Sequence, residues 1–362
     1  MVVLHSVSKM DRAGQETLIM NLFRNIDREK IKFNFLCTDR SKGDYDDEIL
    51  SLGGKIFYTV PQEKRGVVGM LKAACNLRKT LKEIGPDVFH IHTHHALNAL
   101  LDASAAKLSG VKTVVIHSHN TSALFHLKAH EICKKLLPLV NTRRFACSTE
   151  AGYWLFGKAK FRLFHNGLNP DDFCFDKEKR DEVRAKLGWE GKKIIGHIGR
   201  FNEQKNHRFL IDIFAEIIKT EPSAHLVLIG RGELQDEIKN KVAREALENS
   251  VSFLGIRNDI PELYQGMDLF LFPSLFEGLP VVMVEAQTAD LPCLVSDTIT
   301  KEAMWNKNTH SLSLLDSAEI WALKAKEMLD LSRCDNRDTV RSAGYDISDT
   351  AAKLDKIYLG EE

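Results

Sequence analysis

Short apolar, β-branched runs alternate with helix-period stretches along almost the whole chain. The first half carries VVLHSV, KFNFLCT, KIFYTV, DVFHIHT, KTVVIHS, RRFACS and FRLFHN. The second carries KKIIGHIG, AHLVLIG, VSFLG, DLFLFPS and LPCLVSD. Helical patterns lie between them, as over 205–219 and 233–247. Strands separated by helices of this size predict parallel sheets with right-handed crossovers. KKIIGHIG and HLVLIG are nearly continuous apolar runs, as strands covered on both faces should be. The pattern restarts near 191, after NGLNPDDFCFDKEKRDE, which is turn-rich, then charged, and reads as a linker. The expectation is an α/β chain of two doubly wound domains facing a cleft, with ligands beyond the carboxyl ends of the strands. A last helix over about 346–361 follows a break at Gly344 and could pack on either domain.

Length and composition narrow this little. The chain has 362 residues, enough for two cores, with 44% hydrophobic and 28% charged positions. No apolar run reaches the ~18 residues of a membrane span. The opening MVVLHSVSKMDRAG places its charges after a short apolar run, the reverse of a secretory signal, and reads as a first strand and its loop. Seven cysteines without CxxC spacing fit reduced, buried thiols in the cytosol. Charge is divided more sharply. Through Leu168 there are 25 Lys and Arg against 15 Asp and Glu, and the remainder has 25 against 35. A basic half could face anionic lipid or a phosphate-bearing substrate, or the halves could attract each other across the cleft.

Candidate chemistry gathers after the strands. Gly14 in SKMDRAGQE opens a helix whose amides suit phosphate, although GxGxxG and GxxxxGK[ST] are absent. Ten of the 14 histidines lie in the first half, including HIHTHH and HSHN. On a strand, HxH puts two imidazoles on one face, so these could hold a metal, line the cleft or satisfy core hydrogen bonds. In IGRFNEQKNH, Gly199 allows a tight turn, and Arg200 and Lys205 could hold a diphosphate. LIGRGEL adds Gly230, and VSFLGIRNDI adds Gly255 and Arg257. Three successive strand ends with glycine and a cation suggest a nucleoside diphosphate. FPSLFEGLPVVMVEAQ then sets Glu277 in a loop and Glu285 about a turn and a half inside a helix that begins near Pro280. That helix start can take phosphate while the two glutamates accept bonds from hydroxyls on either side of it.

These segments, together with HNGLNPDDF, VLHSVSKMDRAGQETLIMNLFR, DVFHIHTHHALNALL and VVIHSHNT, resemble retaining glycosyltransferases of family 4, group 1 type, in the bacterial exopolysaccharide and capsule branch. The resemblance implies the GT-B fold. It divides the chain into an acceptor-binding Rossmann-like domain, 1–170, with 346–362 packing back on it, and a donor-binding Rossmann-like domain, 171–345. It implies a hexosyltransferase acting from a nucleotide diphosphate sugar, UDP-linked, on a glycan or lipid-linked oligosaccharide, without metal or cofactor and without nucleic acid. Glu277 would contact the donor sugar, Glu285 the ribose, and Arg200 and Lys205 the departing diphosphate. The backbone of Gly278, Leu279 and Pro280 would touch the phosphates, with Gly199 and Gly230 lining the donor site. Arg257 would frame the base, Gly14 would sit by diphosphate and acceptor, and His117, at its strand's end, would lie near the reacting carbon. The chain departs from the family in carrying one glycine in its first loop and none in TITKEAMW after LVSD.

Competing readings are a metal-dependent hydrolase on the HxH repeats, a sugar-nucleotide epimerase of the same fold and a non-catalytic nucleotide binder. DYD at 44–46 has the spelling of metal-using transferases but lies in a charged helical stretch and reads as a solvated face. EKRGVVGMLKAACNLRKTLKE puts Val67, Met70, Leu71, Ala74 and Leu81 on or near one face among basic residues. It either lies on the inner, anionic face of the cell membrane or covers a sheet.

Overall fold

The computed structural model describes residues 1–59, 67–120, 126–277 and 279–361, with only the backbone of 67, 68 and 71. Two compact units emerge, Met1–Leu168 with Gly344–Glu362, and Asn169–Ala343. The first contains β1 (Val2–Val7), β2 (Lys32–Cys37), β3 (Lys55–Tyr58), β4 (Val88–Thr93), β5 (Thr113–Ser118), β6 (Arg143–Ala146) and β7 (Arg162–Leu163). Their order is β3-β2-β1-β4-β5-β6-β7, all parallel. The second contains β8 (Lys193–Ile198), β9 (Ala224–Ile229), β10 (Val251–Gly255), β11 (Leu269–Phe272), β12 (Cys293–Ser296) and β13 (Thr309–Leu312), ordered β10-β9-β8-β11-β12-β13. In each, the first strand sits inside the sheet and the chain winds outward both ways, the doubly wound topology.

Alternation along each strand sends neighbours to opposite helix layers. In the first unit, helices Gly14–Asn25 and Ile347–Leu359 pack with Val3, Phe33, Phe35, Val115 and Phe145 on one face. Helices Val67–Ile84 and Ala96–Ser109 take Leu4, Leu36, Phe89 and Ile91 on the other. Each fully buried Phe contributes roughly 1.5–3 kcal/mol. In the second unit, helices His207–Thr220 and Ala318–Met328 cover Leu226, Leu228, Leu269 and Leu271. The last helix belongs to the first unit. Leu168 N–H donates to Tyr345 C=O at 2.9 Å and Ile347 N–H to Leu168 C=O at 3.0 Å, and Leu354, Ile357 and Tyr358 enter the core.

Two local expectations change, and one open alternative is narrowed. The edge strand β13 was not foreseen, because THSL is short, polar and only half-buried. Helix Val67–Ile84 directs Ala73, Leu77 and Leu81 into the core, so its apolar stripe serves the sheet; residues 63–66 of the proposed membrane segment lie outside the described ones. No helix among the described residues is long and apolar enough to cross a membrane. Asp46 of DYD is buried rather than solvated: its carboxylate accepts Gly43 N–H at 2.9 Å and closes the turn before helix Asp46–Ser51.

Candidate functional site

In the second unit, the loops after β8 and β11 are stitched together. Leu275 N–H donates to Gln204 C=O at 2.8 Å, Gln204 Nε2 to Phe276 C=O at 3.0 Å, and Asn206 Nδ2 to Pro273 C=O at 3.1 Å. Asn206 holds φ at 53°, in the left-handed region that asparagine tolerates. Lys205 closes the 3-10 turn Glu203–Lys205 rather than starting a helix; Asn202 Oδ1 accepts its N–H at 3.2 Å. This brings two distant residues together. Lys205 Nζ lies 2.6 Å from Glu277 Oε1, with side chains only 15% and 8% exposed, and 4.6 Å from the centroid of the Phe272 ring. A half-buried charge pair over an aromatic face is held against water and ready to exchange partners.

Glycine is required where the neighbouring strand ends meet. Gly230 has φ +134°, and a Cβ there would lie 2.0 Å from Gly199 C=O. A Cβ on Gly232 would lie 2.4 Å from Phe201 C=O. The backbones after β8 and β9 therefore pack directly on each other. Arg200 extends from this contact into solvent, its Nε 3.2 Å from Glu233 Oε2. Arg257, after β10, pairs with Asp259 two residues on, at 2.7 Å through Nε.

Glu285 sits on helix Val281–Thr288, which starts at Pro280 with no side-chain cap. The single proton of the Tyr264 hydroxyl is shared between Val282 C=O at 2.8 Å and Glu285 Oε2 at 3.1 Å. Burial pushes the Glu285 carboxyl up to about 7, against the lowering effect of Tyr264. Leu279 and Pro280 are buried at the start of this helix, and Gly278 lies outside the described residues. Tyr264 is the functional neighbour that sequence reasoning missed. DIPELYQ reads as an ordinary amphipathic turn, and nothing in it signals a hydroxyl reaching a carboxylate 21 positions later.

The first unit is built differently. Gly14 begins its helix behind an extended Ala13 with no side-chain cap, and Glu16, in the first turn, is buried, which raises its pKa. His117 is not at the end of its strand. It pairs in register with His92, is 2% exposed, and lies among His90, Phe145 and Phe164. The strand ends at Ser118, and alternation returns the next side chain of that face at His119, which is partly exposed. His119, not His117, holds the strand-end position. The signal was the length of the apolar run, VVIHS, which already spans the strand through His117.

Residues 12–172 match the family described as Glycosyltransferase Family 4, and 179–337 the family described as Glycosyl transferases group 1. The chain is 37% identical to EpsF of Bacillus subtilis (strain 168) over 371 residues, covering 98% of this chain and 96% of that one. It is 27% identical to a UDP-Gal:alpha-D-GlcNAc-diphosphoundecaprenol alpha-1,3-galactosyltransferase of Escherichia coli over 305 residues, covering 79% and 76%. Among solved structures, Anabaena HepE with UDP and glucose superposes with a TM-score of 0.78 at 19% identity, covering 99% of this chain and 100% of that one. WaaG, a glycosyltransferase involved in lipopolysaccharide biosynthesis, gives 0.71 at 15%, covering 99% and 100%. At that identity the likeness carries the fold alone, and the fold is GT-B.

Proposed function

The chain belongs to the family 4, group 1 glycosyltransferases, and from that premise we propose that it moves a hexose-type sugar from a UDP-linked donor to a glycan or lipid-linked acceptor, with retention of configuration, in the synthesis of a surface polysaccharide. The observation that carries the reading is the Lys205–Glu277 pair at 2.6 Å, placed one helical element away from Glu285. The donor's arrival gives each member a new partner. Lys205 turns to the diphosphate and Glu277 accepts hydroxyls of the sugar, so neither buried charge is left alone. Arg200 leaves the solvent-exposed Glu233 for the same phosphates, and the start of helix Val281–Thr288 adds its amides. These groups meet the charge that builds on the leaving diphosphate, so transfer is expected to need no metal. Glu285, steadied by Tyr264, takes the ribose diol, and Arg257 borders the base. In the first unit, Gly14 and His119 serve the acceptor. The acceptor oxygen bonds the anomeric carbon as the carbon–phosphate-oxygen bond breaks on the same face, and the hydroxyl proton passes to the departing diphosphate.

UDP is supported by the names of the Escherichia coli relative and of the HepE complex, and a lipid-linked acceptor by the former. A cytoplasmic enzyme peripheral to the membrane suits such an acceptor. The metal-hydrolase and epimerase readings have no counterpart among these relatives. Melting curves of the purified chain with UDP, GDP, ADP and UDP-sugars, with and without EDTA, test the reading. UDP should raise the melting temperature regardless of EDTA, and Lys205→Ala should remove the shift. A folded chain that responds to no nucleoside diphosphate overturns the proposal.

A further inference from the structure

The first unit contains a column of imidazoles. His5 on β1, His90 and His92 on β4, and His117 on β5 share one sheet face, and His119 continues the line. Their rings stack at centroid distances of 4.2 to 5.6 Å. His92 is bonded at both nitrogens, to His5 Nδ1 at 2.9 Å and to His119 Nε2 at 2.8 Å. Around it, His5 Nε2, His90 Nε2, His119 Nδ1 and both nitrogens of His117 are buried without a hydrogen-bond partner. Such orphaned nitrogens are rare and costly in a native interior. Two overlapping trios, His5–His90–His92 and His92–His117–His119, each place three donor nitrogens within 4.8 Å of one another.

We propose that His92, His117 and His119 form a binding site for one borderline divalent transition-metal ion of the zinc class, with a coordination position left open. The second trio is favoured over the first for two reasons. It reaches solvent through the partly exposed His119, whereas His5, His90 and His92 are all buried. And with His92 Nδ1 on the ion, its Nε2–H still donates to His5 Nδ1, the outer bond that fixes the tautomer of a ligating histidine. Tetrahedral zinc at about 2.1 Å from nitrogen needs donors roughly 3.4 Å apart, so His92 Nδ1 and His119 Nε2, now 2.8 Å apart, separate slightly while His117 closes in by about 1.5 Å at most. Three neutral nitrogens without a carboxylate select zinc, nickel, cobalt or copper over magnesium or calcium. The ion would restrain His119. On the transferase reading this makes added zinc an inhibitor rather than a cofactor, while binding itself rests on the imidazoles alone.

The test is zinc titration calorimetry on the EDTA-stripped full chain, with cobalt absorption as a second probe. One equivalent should bind, and cobalt should show the visible bands of a four-coordinate nitrogen site. His117→Phe should weaken binding at least ~100-fold. Phe has the ring shape without the two unpaired nitrogens, so this variant should melt at or above the wild-type temperature in EDTA. His92→Phe should behave alike towards zinc, and His225→Gln, in the other unit, should not. If His92→Phe fails to fold, His117→Phe decides alone. Absence of zinc binding in the wild type, or one equivalent retained in folded His117→Phe, overturns the site. Zinc binding with no inhibition of transfer leaves the site standing and removes His119 from the acceptor's role.

Discussion

The two units wind their first six strands alike, yet their strand ends carry different chemistry. In the first, the central strands bury imidazoles against one another, five of them across β1, β4 and β5 and the residue after β5. In the second, the equivalent first strand buries only His197, which packs against one other buried histidine, His207, at 4.6 Å and whose Nδ1 donates to Leu271 C=O at 2.9 Å. There the loops beyond the strands hold glycine, lysine, arginine and glutamate instead. Imidazole can be buried in its neutral form, though each unpartnered nitrogen is costly, whereas Lys205 and Glu277 can be half-buried as charges only by meeting each other. Topology supplies the places; the side chains decide whether a place stores a proton-sensitive cluster or an exchangeable ion pair.

Acid should separate the units most strongly. Burial lowers His5 and His119 to about 3, and His90, His92 and His117 well below the usual histidine range. The unfolded chain then binds protons that the folded chain refuses. The stability this confers is complete above about pH 6.5 and is lost as pH falls towards 3. Each ring that stays neutral below the unfolded pKa removes about 1.4 kcal/mol per pH unit, so the cluster makes the first unit steeply acid-sensitive. Hydrogen exchange at pH 7 and at pH 5, followed by peptide mass, should show β4 and β5 losing protection before β8 and β9. Equal loss would break the comparison.

In the second unit, Lys205→Ala should reduce kcat/KM on the order of a thousandfold and, by leaving Glu277 unpaired, cost about 3 kcal/mol in urea unfolding. Gly230→Ala comes next. Its Cβ would meet Gly199 C=O at 2.0 Å with φ at +134°, so unfolding should shift by about 3 kcal/mol. Glu285 gives a smaller effect of opposite pH sign to the histidines. With its carboxyl raised to about 7 from 4.5, the folded state keeps a proton that the unfolded state releases, so this contribution to stability is lost as pH rises through 7. A ribose diol binds the ionised form. Donor KM should therefore rise by up to ~10-fold per pH unit below 7, and Glu285→Gln should flatten that profile. Least of all, Arg200→Ala should leave unfolding within about 0.5 kcal/mol, because its bond to Glu233 is solvent-exposed, while it lowers kcat/KM.

The sequence by itself determined the two doubly wound α/β domains, the positions of their long strands and the residues from which a donor site can be built. Those features follow from local periodicity and turn chemistry: KKIIGHIG and HLVLIG read as strands covered on both faces, and Gly199 and Gly230 mark where they stop. Tertiary structure alone decided which of those residues meet. Lys205 found Glu277, Arg257 turned to its neighbour Asp259, and Tyr264 came to hold Glu285. It also decided that β13 pairs at the sheet edge, where a polar tetrapeptide needs only a neighbour's backbone. And it buried His117 one step short of the strand end, leaving that place to His119. A pattern of period two says which side chains share a face, but the depth of each along that face depends on where the helices cover the sheet, and that is a property of packing.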